Sequence, residues 1–318
     1  MTRKVAIIGC GHVGATVAHN IIQGGLADEL TLIDINEDKV KADALDFRDA
    51  MANLDYHTVL HVNDYGQLKD CEVIISALGD IEIQKIKLDR FSEVAFTSTQ
   101  VKIVAGKIKE SGFHGILLVI SNPCDIQTMI YQQLSGLPAA HVMGTGTLLD
   151  SARMQRAVGE ALHVDPRSVS GYNLGEHGNS QFTAWSTVRV LGQSITALAE
   201  EDDNIDLAAI DQEARIGGYH VMLGKHYTNY AIAAATTRLL NAVLSDAKRE
   251  LPVSNYKAEY DCYLSYPAIV GKNGVERALS LPLTEEELSK LQQSADFIKA
   301  RYDAIMRGDL ETASASSN

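Results

Sequence analysis

Short apolar runs alternate with helical segments over the first 120 residues, and this alternation constrains the fold more than any other feature. The apolar runs lie at residues 5–8, 30–33, 59–62, 73–76 and 116–120. Helical periodicity is found at 13–25, 39–54 and 94–109. Short apolar runs bounded by glycine or polar residues predict strands that are buried on both faces. Strands separated by helices predict an α/β fold in which helices cover both sides of a doubly wound parallel sheet.

The pattern changes after about residue 145. Longer helical segments are predicted at 148–162, 207–223, 232–248 and 284–307, and strand-like segments at 263–270 and 274–281. Thr284 and Glu287 have the spacing of a capping box, which predicts the start of the last helix. A length of 318 residues also favours two domains. We therefore expect a nucleotide-type domain at 1–145 and an α+β substrate domain at 146–318, with a frayed tail at 313–318.

Charge and cysteine usage exclude several classes of protein. The 28 basic and 41 acidic residues give a net charge of −13, which argues against nucleic acid as a partner. No Cys-x-x-Cys pair occurs, so the cysteines predict neither a disulfide framework nor a metal site, and they suggest a reducing compartment. No apolar run is long enough for a membrane span, and the N-terminus lacks a signal-peptide pattern. The sequence thus predicts a cytoplasmic protein with no membrane or metal partner.

A glycine motif follows the first predicted strand. Residues 9–14 read Gly-Cys-Gly-His-Val-Gly, with Gly9, Gly11 and Gly14 in the Gly-x-Gly-x-x-Gly spacing of a Rossmann dinucleotide site. Asp34 follows Gly14 by 20 residues, where a carboxylate can bind both ribose hydroxyls and repel a 2′-phosphate. This combination predicts NAD rather than NADP, held by the motif, including His12 and Val13, and by Asp34. The alternative is a glycine-rich turn that only packs.

Three further segments carry charged groups that suggest chemistry. Asp150 and Arg153 are three residues apart and share a helix face, although Thr147 and Asp150 also have the spacing of a simple capping box. His177 lies between polar and glycine residues in a predicted loop, where a ligand can reach it. Arg90 ends the long segment that begins at Gly79. Each of these residues alone has an ordinary structural explanation, as a cap, a solvated histidine or a surface arginine.

Taken together, these segments have the order and spacing found in one family. The motifs are Gly9-x-Gly11-x-x-Gly14, Ser121-Asn122-Pro123, Leu149-Asp150-Ser151-Ala152-Arg153 and Gly175-Glu176-His177-Gly178. The chain resembles the lactate/malate dehydrogenase family from Lys4 to about Arg307. Within that family it is most similar to the L-2-hydroxyisocaproate dehydrogenases of lactic acid bacteria. The resemblance implies an NAD-dependent oxidoreductase on an N-terminal Rossmann domain plus a C-terminal α+β substrate domain, assembled as a homo-oligomer, with a tetramer favoured.

The resemblance also implies a role for each catalytic residue. His177 would remove the proton of the substrate hydroxyl, since an imidazole exchanges protons near neutral pH. Asp150 would bond the other ring nitrogen and stabilise the imidazolium. Arg153 would hold the substrate carboxylate through two parallel bonds. Arg90 would polarise the carbonyl oxygen where negative charge develops.

Further residues are implied to line the site. Asn122 would bond near the nicotinamide ribose and the substrate, Gly79 would begin a lid that closes at Arg90, and Thr228 would line the pocket. Gly217 and Gly218 fall on the helix that lines the substrate side chain in this family, so they would leave room for a large apolar group. We therefore expect a 2-oxo or 2-hydroxy monocarboxylate substrate, with 4-methyl-2-oxopentanoate preferred over pyruvate.

Alternatives remain open from the sequence. The chain could be an L-lactate dehydrogenase that prefers pyruvate, or a protein that binds NAD without chemistry. The lid contains no arginine before Arg90, which disfavours a dicarboxylate, although Lys85 or Lys87 could serve as the second cation. Cys124 stands where Val is common in the family, as a small packing residue or an oxidation-sensitive one. His226 stands where Gly is common and receives no role from the sequence.

Overall fold

The computed structural model describes residues 2–80 and 94–309. Arg90, the lid segment 81–89 and the tail 313–318 lie outside the described residues, so the expectations for them stay predictions. The helices of the described residues are α1 (His12–Gln23), α2 (Glu37–Met51), α3 (Val94–Ser111), α4 (Cys124–Ser135), α5 (Leu148–Ala161), α6 (Ile195–Glu201), α7 (Leu207–Lys225), α8 (Tyr230–Leu244) and α9 (Glu285–Arg307).

The strands fall into one large sheet and two small ones. The large sheet contains β1 (Lys4–Ile8), β2 (Glu29–Ile33), β3 (Val59–Val62), β4 (Val73–Ser76), β5 (Ile116–Val119), β6 (Val142–Gly144), β12 (Arg249–Lys257), β13 (Cys262–Gly271) and β14 (Gly274–Ala278). The small sheets contain β7 (Val169–Ser170), β10 (Arg189–Val190) and β11 (Gln193–Ser194), and β8 (Asn173–Leu174) with β9 (Phe182–Thr183).

The large sheet confirms the doubly wound arrangement. Its strand order is β14-β13-β12-β6-β5-β4-β1-β2-β3, and the six strands β1 to β6 are parallel. The antiparallel strands β12 to β14 extend the sheet beyond β6. The strand order reverses between β1 and β4, so the crevice at the carboxyl ends of these strands is where such sheets bind ligands.

Each face of the sheet has its own apolar core, as wholly apolar strands require. One core joins strand residues to α1, α2 and α8, and the other joins them to α3, α4 and α9. A third, smaller core lies between α5, α7 and the β7-β10-β11 sheet. α5 and α7 are thus packed against each other on the C-terminal side of the molecule, where the candidate site is found.

The structure corrects the end of one predicted helix and adds elements that the sequence did not predict, among them α4, β6 and β12. The helix expected at 232–248 ends at Leu244, because Asp246 and Lys248 turn the chain with φ values of 50° and 49°. The Asp246 carboxylate fixes this turn by accepting the backbone N–H of Lys272 at 2.9 Å. α4 was not predicted, because its buried residues include the polar side chains of Asp125, Gln127 and Thr128, whose burial the sequence pattern does not indicate. The capping box of Thr284 and Glu287 is confirmed at the start of α9.

The four cysteines are free and buried. Cys124 Sγ fills the space beside Gly144, where an added Cβ would lie 2.7 Å from the sulfur. Burial raises the pKa of the Cys124 thiol to about 12, so the reactive thiolate is strongly disfavoured. Its environment therefore favours packing over redox chemistry. Across residues 2–80 and 94–309, no helix combines the length and apolar character that a membrane crossing requires.

Candidate active site

A cavity of about 780 Å³ opens between α1, α5, α7, α8 and the loops that follow β5 and β8. Its apolar wall contains residues from all four helices and one loop, namely Val13, Ile120, Leu149, Ala214, Tyr219, Met222 and Ile232. Its polar groups include most of the residues that the sequence singled out, namely Asn122, Asp150, Arg153, His177 and Thr228. An apolar cleft with a few convergent polar groups is the usual form of a small-molecule site.

Asp150 connects the two candidate catalytic groups. It lies in the first turn of α5, where the helix dipole favours a negative charge. One carboxylate oxygen lies 2.5 Å from His177 Nδ1, and the other accepts a hydrogen bond from Arg153 at 2.9 Å. Because a carboxylate can only accept, Nδ1 must carry the proton, and this leaves Nε2 available to exchange a proton with a substrate. The side chains of Asp150 and His177 are only 4% and 10% exposed, so these bonds are little weakened by water.

Thr147 does not form the capping box that was the alternative explanation for Asp150. The Thr147 side chain makes no cap hydrogen bond and instead donates to the Asn173 carbonyl at 2.5 Å. Its backbone N–H donates to Ser265 Oγ at 3.0 Å, and Ser151 Oγ accepts the N–H of Asn173 at 2.9 Å. The first turn of α5 is therefore tied to β8 and β13, which fixes the position of Asp150.

The loop that carries His177 is held by contacts from distant parts of the chain. Gly175, with a φ of 89°, forms an antiparallel bridge with Ser265 of β13. The backbone N–H of Glu176 donates to Ser294 Oγ of α9 at 2.8 Å. The buried Glu176 carboxylate in turn accepts the N–H and the hydroxyl of Ser180 at 3.0 and 2.7 Å. These bonds orient the His177 backbone before any ligand is bound.

Asp125 is a functional candidate that the sequence analysis missed. It lies in the first turn of α4, is 1% exposed, and accepts the backbone N–H of His177 at 2.7 Å. Burial raises the pKa of its carboxyl to about 6. The same segment contributes Asn122 to the cavity, and the Asn122–Pro123 peptide bond is cis. An acidic residue after Asn-Pro is visible in the sequence, but nothing local indicates that it faces a loop 52 residues away.

The glycine motif has the shape that a dinucleotide requires. Gly9 has a φ of 97°, and a Cβ there would lie 2.6 Å from the Ala77 carbonyl oxygen, so this turn accepts only glycine. A Cβ on Gly14 would overlap the Gly9 carbonyl oxygen, so the third glycine allows close packing of α1 on β1. Gly11 has open space around it, which leaves the N-terminus of α1 accessible to a pyrophosphate. The residues present therefore fit NAD.

Asp34 lies at the end of β2 and supports the same turn. Its carboxylate accepts the backbone N–H of Cys10 at 2.6 Å and that of Asn36 at 2.8 Å. Lys39 also bonds to the turn, donating to the Cys10 carbonyl and to Asp43. The half-buried Asp34 carboxylate retains acceptor capacity for ribose hydroxyls.

Gly217 is not where the sequence interpretation placed it. It does not line the cavity, and a Cβ there would meet the guanidinium of Arg156. Gly218 does line the cavity, but a Cβ there would lie 3.0 to 3.2 Å from the guanidinium of Arg153. Gly218 therefore makes room for Arg153 itself, and the expectation that both glycines enlarge the substrate pocket is corrected. Helical spacing did not reveal which glycine faces which arginine.

The remaining predicted residues are split between the site and its margins. Val13 and Thr228 face the cavity, whereas the exposed His12 stacks on the ring of Tyr227. Gly79 is exposed and follows β4 just beyond Ala77, the contact of Gly9. Within residues 2–80 and 94–309, no group of three or more His, Cys, Asp or Glu residues could hold a metal ion.

Comparison with known proteins identifies one family over nearly the whole chain. Residues 3–144 match the NAD binding domain of lactate/malate dehydrogenases, and residues 147–307 match the alpha/beta C-terminal domain of the same family. L-lactate dehydrogenase 3 of Bacillus thuringiensis is 37% identical, over 94% of this chain and 96% of its own length. L-lactate dehydrogenase 1 of Bifidobacterium longum is 34% identical, over 95% and 98%.

A solved structure agrees with these sequence matches. The crystal structure of the minor L-lactate dehydrogenase of Enterococcus mundtii, in a ligand-bound form, superposes with a TM-score of 0.91. It is 37% identical and covers 96% of this chain and 98% of its own. Since both family domains are present, the chain belongs to the lactate/malate dehydrogenase family and is an NAD-dependent oxidoreductase that acts on a CH–OH group.

Proposed function

We propose that this protein is an L-2-hydroxyacid dehydrogenase that interconverts 2-oxo and 2-hydroxy monocarboxylic acids. The observation that carries the proposal is the shared carboxylate of Asp150, which holds His177 and Arg153 in one cavity. A proton-exchanging imidazole beside a carboxylate-binding guanidinium matches the two ends of a 2-hydroxy acid. When bound, the nicotinamide cofactor accepts or supplies the hydride.

His177 acts as the general base in oxidation and the general acid in reduction. Its Nε2 takes the hydroxyl proton, and Asp150 at 2.5 Å from Nδ1 stabilises the imidazolium that forms. In the reverse direction Nε2 returns that proton to the substrate oxygen. The backbone contact with Asp125 and the Ser294 bond of Glu176 keep the ring aimed at the cavity.

Arg153 binds the substrate carboxylate with its guanidinium, which is 16% exposed and partly neutralised by Asp150. Asn122, which also lines the cavity, is proposed to bond near the nicotinamide ribose and the substrate. Arg90, outside the described residues, is proposed to polarise the carbonyl oxygen when the lid closes. Gly9, Gly11, Gly14 and the ribose-facing Asp34 hold the cofactor.

For the substrate side chain we propose a branched or bulky apolar group, as in 4-methyl-2-oxopentanoate. Ala214, Tyr219, Met222 and Ile232 give the cavity an apolar wall, and each buried methylene contributes about 0.8 kcal/mol. The second candidate is an L-lactate dehydrogenase that prefers pyruvate. The names of the similar proteins and the placement of Gly217 outside the cavity favour this candidate.

Steady-state kinetics decide between the two candidates. NADH oxidation is followed with pyruvate, 2-oxobutanoate, 4-methyl-2-oxopentanoate, phenylpyruvate and oxaloacetate at equal enzyme concentration. We expect kcat/KM for 4-methyl-2-oxopentanoate to exceed that for pyruvate, and oxaloacetate to be poor. Equal or higher kcat/KM for pyruvate would replace the first candidate by the second. No turnover with any of these acids would contradict the reaction itself.

We also propose that the protein works in the cytoplasm as a homo-oligomer, with a tetramer favoured. Buried free thiols accord with a reducing compartment. On α7 the side chains of Tyr219, Val221 and Leu223 are 52%, 41% and 50% exposed, which is a large apolar surface for one helix. Light scattering coupled to size-exclusion chromatography gives the molar mass, and a monomer at micromolar concentration would contradict this proposal.

A further inference from the structure

We propose that five residues form a latch that couples cofactor binding to substrate binding. The latch consists of His12, Thr16, Lys225, Tyr227 and Asn229. It joins the first turn of α1, where the cofactor pyrophosphate binds, to the segment between α7 and α8, which forms a wall of the substrate cavity. This inference rests on the proposed function, because the second ligand is a 2-oxo acid.

The latch is a closed ring of contacts. The rings of His12 and Tyr227 are stacked, with centroids 3.8 Å apart and planes 3° from parallel. Thr16 Oγ1 donates to the His12 carbonyl at 2.6 Å and accepts from Asn229 Nδ2 at 2.9 Å. Asn229 Oδ1 accepts from Lys225 Nζ at 2.6 Å, and the same ammonium lies 4.9 Å from the Tyr227 ring centroid. Each member therefore contacts at least two others.

The neighbours of the stacked rings place the latch between the two sites. Val13 follows His12 in the chain and Thr228 follows Tyr227, and both Val13 and Thr228 line the cavity. On the other side His12 follows Gly11, the open glycine of the phosphate turn. A shift of the first turn of α1 must consequently move the stack, and a shift of the stack must move the Thr228 wall.

The backbone makes the segment suitable for this role. α7 ends at Lys225, and the next residue, His226, adopts a left-handed φ of 65° and donates its N–H to the Met222 carbonyl at 2.8 Å. This turn directs Tyr227 onto α1 instead of continuing the helix. The buried Asn229, 8% exposed, satisfies both ends of its amide within the latch. His226, which had no role in the sequence analysis, thus shapes the turn that presents Tyr227.

Coupling follows because the first turn of α1, on the cofactor side, and the segment between α7 and α8, on the substrate side, share the contacts of the latch. When a ligand orders one wall, less conformational entropy is lost when the second ligand orders the other, and the two affinities rise together. By linkage, the factor by which one ligand raises the affinity of the other is the same in both directions. One aromatic pair contributes a factor of about two to ten.

The test measures the dissociation constant of NADH by fluorescence, with and without saturating oxamate, the unreactive amide analogue of a 2-oxo acid. The ratio of the two constants is the coupling factor. We expect His12→Ala and Tyr227→Leu to lower the coupling factor by about two- to ten-fold. His12→Phe and Tyr227→Phe keep a stacked pair, and we expect them to retain the coupling within two-fold.

Several outcomes separate this inference from the proposed function. A coupling factor that is unchanged in both His12→Ala and Tyr227→Leu would overturn the latch, and this includes the case in which the NADH constants with and without oxamate change by the same factor. Wild-type protein that does not respond to oxamate would overturn the proposed substrate class, and the latch with it. Thermal melting identifies variants that do not fold. If His12→Ala or Tyr227→Leu does not fold, Lys225→Met takes its place, because it removes the cation of the latch but no ring. We again expect a smaller coupling factor than in the wild type.

Discussion

The glycine turn, which is proposed to hold the cofactor, and the loop that carries His177 are built in different ways. The glycine turn is shaped by its own residues and by Ala77, and it needs glycine because Cβ atoms at Gly9 and Gly14 would meet backbone. The His177 loop is shaped by residues far along the chain: by the side chains of Asp125 on α4 and Ser294 on α9, and by a backbone bridge to Ser265 of β13. The first kind of site is therefore sensitive to changes within its motif, and the second to changes outside it.

The largest effect is expected from Asp150→Asn, which acts on the His177 side of the comparison. The amide cannot stabilise an imidazolium as the carboxylate does, and its NH₂ group competes with Arg153 and His177 as a donor. We expect kcat/KM to fall by about 10²- to 10⁴-fold, the usual contribution of acid–base catalysis. The NADH dissociation constant should stay within about three-fold, because the glycine turn is untouched. A kcat/KM within ten-fold of wild type would contradict the role of Asp150.

Asp125→Asn tests whether the buried Asp125 carboxyl, which accepts the backbone N–H of His177, has a raised pKa. The pKa of Asp125 rises from 3.8 to about 6 on folding, so its stabilising contribution is complete below pH 3.8 and is lost as the pH rises through 6. The corresponding free energy is about 3 kcal/mol. The stability of Asp125→Asn relative to wild type should therefore increase by about this amount between pH 4 and pH 7.

Urea unfolding between pH 4 and pH 7, at one protein concentration, measures the difference in free energy of unfolding between Asp125→Asn and the wild type. Asp125→Ala is the matched control, since it also lacks the charge but cannot accept the His177 N–H. We expect the same dependence on pH for both variants, with the alanine variant less stable at every pH. A stability difference that does not change with pH would show that Asp125 is ionised in the folded protein throughout.

The sequence predicted the two sides of the comparison unequally. The backbone shape of the glycine turn follows from the sequence, because the spacing of Gly9, Gly11, Gly14 and Asp34 lies within a short window, and their contacts with NAD stay a prediction. Five of the six parallel strands were predicted for the same reason, since each is a short apolar run, whereas the three-residue β6 (Val142–Gly144) was missed. α4 was missed because its buried residues include the polar side chains of Asp125, Gln127 and Thr128, so the apolar residues alone do not mark its buried face.

On the catalytic side only the groups that carry chemistry were predicted. His177, Asp150 and Arg153 stand in recognisable motifs, whereas their supports do not. Asp125 is 52 residues from His177, and Ser294 is 118 residues from Glu176. Contacts over such distances depend on how the strands and helices are assembled, and no local pattern encodes them.

Gly14→Ala and Gly11→Ala probe the cofactor side. A Cβ at position 14 would overlap the Gly9 carbonyl oxygen, so α1 must shift, which costs about 1 to 3 kcal/mol of stability and weakens NADH binding. A Cβ at position 11 meets no protein atom within 4 Å. We expect Gly11→Ala to unfold at nearly the wild-type urea concentration but to bind NADH at least five-fold more weakly. Wild-type NADH affinity in Gly11→Ala would mean that the pyrophosphate does not approach this residue.

The smallest effect is expected on α7, where neighbouring glycines face different arginines. A Cβ at Gly218 would lie 3.0 to 3.2 Å from the Arg153 guanidinium, which Asp150 already holds, so Gly218→Ala must displace the group that is proposed to bind the carboxylate. A Cβ at Gly217 would meet only the tip of Arg156, a partly exposed side chain whose bonds to Glu160 and Glu213 lie at the surface and away from the cavity.

Gly218→Ala should consequently raise KM for 2-oxo acids about three- to ten-fold, since a small displacement weakens a bidentate bond. Gly217→Ala should leave KM unchanged and stabilise the helix by up to about 1 kcal/mol. Steady-state kinetics give KM for each of the two variants, and urea unfolding gives the free energy of unfolding of each. An equal rise of KM in both variants would mean that the two glycines act together on the substrate side chain. A fall of KM for pyruvate in Gly217→Ala would mean that Gly217 lines the substrate pocket after all.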